Sequence, residues 1–141
     1  DRRSPALCYQ LLLCPVTNLA LLDTRSYRDY GEGYMLTKAF AERCRNAYLE
    51  DKSDRWNPYV SPLLADDVRN LPPALVITAE FDMLRDDGEA YGERLRSAGV
   101  PTVISRYNGV VHGFFSMDGV LDKAREARAE VAEALHAAFS Q

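Results

Sequence analysis

Three short stretches of this chain are apolar almost without interruption, and each is bounded by proline. Ala6-Leu7-Cys8-Tyr9-Gln10-Leu11-Leu12-Leu13-Cys14 closes at Pro15, and Ala74-Leu75-Val76-Ile77-Thr78-Ala79 opens behind Pro72-Pro73. Thr102-Val103-Ile104-Ser105-Arg106-Tyr107, rich in β-branched residues, opens behind Pro101. Runs of this length predict strands at about Leu7–Cys14, Ala74–Thr78 and Thr102–Arg106. The first reads as a strand buried on both faces, as in a parallel sheet.

The polar positions between the runs predict helices. Asp86 is placed as an N-cap with Glu89 three residues on, a capping-box spacing. Tyr91, Leu95 and Ala98 then form one apolar stripe, and Gly99 and Pro101 end the helix, which is expected over about Gly88–Ala98. Ala74 to Tyr107 is therefore a strand–helix–strand unit, right-handed with parallel strands. A last helix over about Leu121–Phe139 shows Leu121, Ala124, Val131, Leu135 and Ala138 on one face. The stretch 17–70 is long for a connection and rich in aromatic residues, among them Tyr27, Tyr30, Tyr34, Phe40, Tyr48, Trp56 and Tyr59. A helix capped by Thr37 is expected there over Thr37–Leu49, and such an excursion covers or lines something.

Composition narrows the class without naming a chemistry. With 141 residues, 47% hydrophobic and 27% charged, the chain suits one globular domain. A net charge of -4 spread along the chain argues against a nucleic-acid partner. No apolar run has the length of a membrane span. The start, Asp1-Arg2-Arg3-Ser4-Pro5, carries neither an initiating Met nor an apolar signal region, so the chain is expected to begin inside a longer protein. Cys8, Cys14 and Cys44 make no C-x-x-C pair; Cys8 and Cys14 on one strand would lie roughly 20 Å apart, beyond disulfide reach. They read as buried small hydrophobes in a reducing, cytoplasmic setting, with almost no support for a metal site.

Candidate chemistry sits at two strand ends. Asp82 lies just past the second strand and His112, between Gly109 and Gly113, just past the third. In parallel strands both loops emerge at the carboxyl edge of the sheet, where ligands bind in open α/β folds. Neighbouring strands lie about 5 Å apart, so the carboxylate and the imidazole are expected to meet. Acid before histidine is also the chain order that closes a Ser…Asp…His triad. In that scheme His112 takes a serine proton and returns it to the leaving group, while Asp82 fixes the imidazole tautomer. Asp86 is the competing acid, but capping accounts for it. Glu80 and Asp87 read as solvated charges, and His136 as a partly exposed helix residue.

The stretch Pro73-Ala74-Leu75-Val76-Ile77-Thr78-Ala79-Glu80-Phe81-Asp82-Met83-Leu84-Arg85-Asp86-Asp87-Gly88, followed by Tyr91, Leu95 and His112-Gly113-Phe114, resembles the hormone-sensitive-lipase-like esterases of the α/β-hydrolase fold. The resemblance extends more weakly to Tyr9-Gln10-Leu11, Pro15 and Ser61-Pro62-Leu63. It implies the C-terminal part of an α/β-hydrolase domain, a mainly parallel sheet flanked by helices. It implies a serine carboxylesterase acting on small-molecule carboxylic esters through an acyl-serine, with no cofactor or metal, and Asp82 and His112 as catalytic residues. Tyr34, Leu36, Phe40 and Phe114 would contact substrate, and the edge strand Thr102–Tyr107 would pair two copies into a dimer. The family's H-G-G-G segment and G-D-S-A-G elbow are not in this chain, and none of its serines stands in G-x-S-x-G form. The nucleophile is therefore expected in an N-terminal segment of the same protein, and the 141 residues alone are expected to be inactive.

Two other readings stay open at this level. The family includes hormone receptors that have lost the catalytic histidine, which makes a non-catalytic binding protein the alternative; His112 favours the enzyme. An independent three-stranded module without activity is the third, and the apolar first strand, which needs neighbours, argues against it.

Overall fold

The computed structural model describes residues 7–140. Asp1 to Ala6, including the first residue of the first apolar run, and Gln141 lie outside the described residues. Among the described residues three strands, β1 (Gln10–Leu13), β2 (Ala74–Phe81) and β3 (Thr102–Val111), form one parallel sheet in the order β1-β2-β3. Gln10 stands beside Ala74, and Ala74 beside Thr102. Among the described residues four α-helices accompany them: α1 (Arg25–Tyr30), α2 (Lys38–Tyr48), α3 (Arg85–Ser97) and α4 (Asp122–Phe139). Short 3-10 turns occupy Lys52–Trp56, Pro62–Leu64 and Phe114–Ser116.

Among the described residues β2 alone has strands on both sides, which places it at the centre of the sheet. Ala74 to Ala79 are all buried, and their alternation divides them between two cores. Leu75, Ile77 and Ala79 pack with Phe114 and with Ala124, Ala127 and Val131 of α4. Ala74 on the other face packs with Tyr91 and Leu95 of α3, Val68 and Val100. Gly92 makes the α3 contact close: a Cβ there would meet the Ile104 side chain at 2.7 Å.

The parallel strand–helix–strand unit, the Thr37 cap and the last helix follow the pattern of the sequence. The Thr37 side chain accepts a hydrogen bond from the Phe40 N–H at 3.3 Å, and α4 buries Ala124 and Val131 of the expected stripe together with Ala127, while Leu121, Leu135 and Ala138 are half-buried.

Four details differ. β1 is shorter than the apolar run and only half-buried, since no strand covers its outer edge among the described residues. Cys8 and Cys44 are exposed rather than buried, and Cys14 is intermediate. The helix after β2 begins at Arg85, so Asp86 lies inside its first turn and cannot be the N-cap. There its carboxylate accepts from the Ser26 N–H at 2.8 Å and pairs with Arg85 at 2.9 Å. Glu89, expected to complete a capping box, instead accepts from the Thr78 hydroxyl at 2.9 Å and from Arg106 Nε at 2.7 Å. An acid in a first helical turn already faces the positive end of the helix dipole, so tertiary donors are free to claim its oxygens. Finally, Asp87 is buried, at 1% exposure, where a solvated charge was expected.

Candidate active site

The carboxyl ends of β2 and β3 converge because of an irregularity in β3. Ala79 pairs with Tyr107, but Phe81 pairs with Val111, so β3 bulges across Asn108, Gly109 and Val110. An unbroken register would set Asp82 beside Val110. With the bulge, the next residues in line are Asp82 and His112. Gly109 has φ +79° in the bulge, a conformation that disfavours any side chain. Its N–H donates to the Glu80 carboxylate at 2.6 Å, tying the bulge to the end of β2.

Asp82 is 1% exposed and both of its oxygens are engaged. Oδ1 accepts from the Leu84 N–H at 2.9 Å, and Oδ2 lies 2.8 Å from His112 Nδ1. The imidazole remains part-exposed, with 29% of the His112 side chain open to solvent. Gly113, at φ +78°, turns the chain sharply after the histidine and caps the turn that drives Phe114 into the core. The histidine is thus held between a bulge on one side and a buried anchor on the other.

The acid is braced from the excursion. Ser26 of α1 is fully buried; its hydroxyl donates to the Met83 carbonyl at 2.6 Å, and its N–H donates to Asp86. Arg85 donates to the Glu80 carbonyl at 2.9 Å and lies over the Tyr30 ring, 5.2 Å from its centroid. The loop carrying Asp82 is therefore bonded to β2, to α1 and to its own helix.

A third polar group reaches this junction from β1. Cys14 follows the strand with φ +44°, unusual for any residue but glycine and doubly so before proline. Its N–H still donates to the Ile77 carbonyl at 2.8 Å, which keeps it against β2. The ligand atoms of Cys14, Asp82 and His112 all lie within 4.8 Å of one another. Burial, and then the Asp82 charge, push the Cys14 thiol up to about 12, so it stays protonated at neutral pH.

Above the pair lies a largely apolar groove of about 520 Å³ that reaches His112. Its walls include Cys14, Tyr27, Leu36, Phe40 and Leu84. Of the four expected substrate contacts, Leu36 and Phe40 line it. Tyr34 does not: its ring stacks on Phe81 at 5.6 Å and meets Tyr30 edge-on at 5.3 Å. Phe114 does not either, being fully buried against Tyr107 and α4. The residues sequence reasoning missed here are Cys14, Tyr27 and Leu84. Cys14 closes the apolar run before Pro15, but nothing in that pattern signals its left-handed backbone. Ser26 carried no signal at all.

Parallel strands with helices on both faces, and an acid and a histidine meeting at adjacent strand ends, define an α/β-hydrolase-type sheet. Residues 1–116 match the family described as the alpha/beta hydrolase fold, and the chain belongs to that family. It is similar to an arylesterase of Saccharolobus solfataricus, 46% identical over 103 residues, covering 71% of this chain and 34% of the relative. Among solved structures it is similar to a hyperthermophilic esterase from Pyrobaculum calidifontis, at 42% identity and a TM-score of 0.86, covering 89% of this chain and 42% of that one. A thermophilic carboxylesterase cloned from a metagenomic library superposes with a TM-score of 0.90 at 36% identity, over 94% of this chain and 45% of that one. The chain thus spans between a third and a half of the length of these relatives. No helix among the described residues is long and apolar enough to cross a membrane.

Proposed function

We propose that this chain supplies the acid and the base of a serine carboxylesterase. The observation that carries the reading is the contact of 2.8 Å between Asp82 Oδ2 and His112 Nδ1 at the ends of neighbouring parallel strands. With the proton on Nδ1 donated to Asp82, Nε2 of the part-exposed ring is left as the acceptor. It takes the proton of a serine hydroxyl as that oxygen attacks the ester carbonyl, and returns it to the departing alcohol. Water then repeats the sequence on the acyl-serine. Asp82 stabilises the imidazolium that forms in both halves.

The serine comes from a segment of the protein outside these 141 residues, since no serine here stands in a nucleophile elbow. The apolar groove receives the acyl or alcohol chain, with Leu36 and Phe40 as contacts. Tyr34 and Phe114 act at one remove, by bracing Phe81 and anchoring the histidine turn. The names of similar proteins, an arylesterase and carboxylesterases among them, support an ester substrate. The test is hydrolysis of p-nitrophenyl butyrate by the complete protein, with labelling by a fluorophosphonate probe. Saturable, His112-dependent turnover is expected there and none from the short chain alone. An unlabelled complete protein that binds small ligands without turning them over would favour a receptor instead.

The outer edge of β3 carries no strand among the described residues, and Val103 on it is 52% exposed. This supports pairing of two copies through Thr102–Tyr107. A dimer by analytical ultracentrifugation, converted to monomer by Val103→Lys, is the expected outcome.

A further inference from the structure

Cys14 has no part in the esterase chemistry above, yet it stands at the acid–histidine junction. Its sulfur, a carboxylate oxygen of Asp82 and a ring nitrogen of His112 come from three strand ends and lie mutually within 4.8 Å. Thiolate, imidazole and carboxylate together are the donor set of borderline-soft divalent cations. A zinc-class ion sits about 2.0–2.3 Å from such donors, and donors this close need only small side-chain movements to enclose one. The donors also balance charge: thiolate and carboxylate carry two negative charges against the two positive charges of the ion.

We infer that Cys14, Asp82 and His112 form a binding site for a thiophilic divalent cation of the zinc and cadmium class, and that its occupation switches the acid–histidine pair off. On coordination the Cys14 thiol gives its proton to solvent and the metal–sulfur bond replaces the sulfur–hydrogen bond. The imidazole binds as the neutral ring through one nitrogen. If that is Nδ1, its proton moves to Nε2, and the nitrogen facing substrate becomes a donor. If it is Nε2, the metal occupies the base directly. Either way no ring nitrogen remains to accept the serine proton, and Asp82 is diverted from its partner. The binding half of the inference rests on the three side chains alone; the inhibitory half rests on the esterase reading.

The test is titration of the complete protein with Cd²⁺, followed by the thiolate-to-cadmium ultraviolet absorption, and in parallel by butyrate ester hydrolysis. Wild type and the Cys8→Ser/Cys44→Ser variant are expected to show the band, and Cys14→Ser to lose it. His112→Ala keeps the thiol and sits at a part-exposed position, so it serves as the second variant; its affinity for Cd²⁺ is expected to fall by more than about tenfold. Zn²⁺ and Cd²⁺ are expected to inhibit hydrolysis, with the inhibition weakened at least about tenfold in Cys14→Ser. A wild type without the band, a band that survives Cys14→Ser, or an affinity unchanged in His112→Ala overturns the site. A Cys14-dependent band in a protein that hydrolyses no ester leaves the site standing and overturns the esterase reading.

Discussion

The N–H of Gly109 and the carboxylate of Glu80 meet at 2.6 Å, joining a bulge in β3 to the last residues of β2. That single bond spans the two strand ends that carry Asp82 and His112. It depends on a left-handed backbone at Gly109, which a β-branched residue adopts only at a cost of about 1–3 kcal/mol. Gly109→Val in the complete protein is expected to lower stability by that order, seen as a lower midpoint in urea. It is also expected to reduce kcat more than it raises KM, because the histidine moves while the groove stays. A variant with wild-type kcat would show that the bulge does not position His112.

The two neighbouring acids are expected to separate by role. Asp82 contacts the imidazole, whereas Asp86 contacts Ser26 and Arg85. Asp82→Asn presents the wrong hydrogen-bonding partner to Nδ1 and is expected to cut turnover by about 10³–10⁴. Asp86→Asn is expected to act mainly on stability, by about 1 kcal/mol, through weakened bonds to a charged group. Equal losses of kcat in the two variants would show that the acid is misassigned.

Ser26 tests whether the excursion serves the active site. Its buried hydroxyl donates to the Met83 carbonyl, one residue past Asp82. Ser26→Ala leaves that carbonyl without this donor and is expected to destabilise by about 1–3 kcal/mol. Faster hydrogen exchange at residues 83–86 is expected with it, at unchanged exchange in α4. Uniformly faster exchange would instead indicate a general loss of stability.

Asp87 is expected to govern the pH dependence of stability. Its carboxylate is 1% exposed and neither oxygen has a hydrogen-bond partner among the described residues. Burial first, then the charges of Asp86 and Asp23, push it up to about 7. The folded state thus binds its proton more tightly than the unfolded chain, whose aspartate titrates near 3.8. Its contribution to stability is complete below that lower value and is lost as pH rises to about 7. Asp87→Asn removes the ionisation, so the variant is expected to gain relative to wild type from pH 4 to 7, by up to about 4 kcal/mol. Urea midpoints for both proteins across that range check it; a pH-independent difference would mean that Asp87 has another partner.

What the sequence by itself determined was the local grammar and the long-range consequence of parallel strands. Proline-bounded apolar runs marked β2 and β3, the Gly99-Pro101 stop ended α3, and a strand–helix–strand unit can close in one sense only. Those constraints are enough to bring Asp82 and His112 to one edge of the sheet. The tertiary structure alone decided the rest. A carboxylate at Asp86 carries the same local signal whether it caps a helix or takes a donor sixty residues away, and only the arrival of Ser26 chose between them. A large apolar or aromatic residue reads the same in a groove wall or a core, so Leu36 and Phe40 are told from Tyr34 and Phe114 only by how the layers pack. Cys14 joined the acid–histidine pair through a left-handed backbone held by β2 and Pro15, and that conformation leaves no trace in hydrophobic pattern.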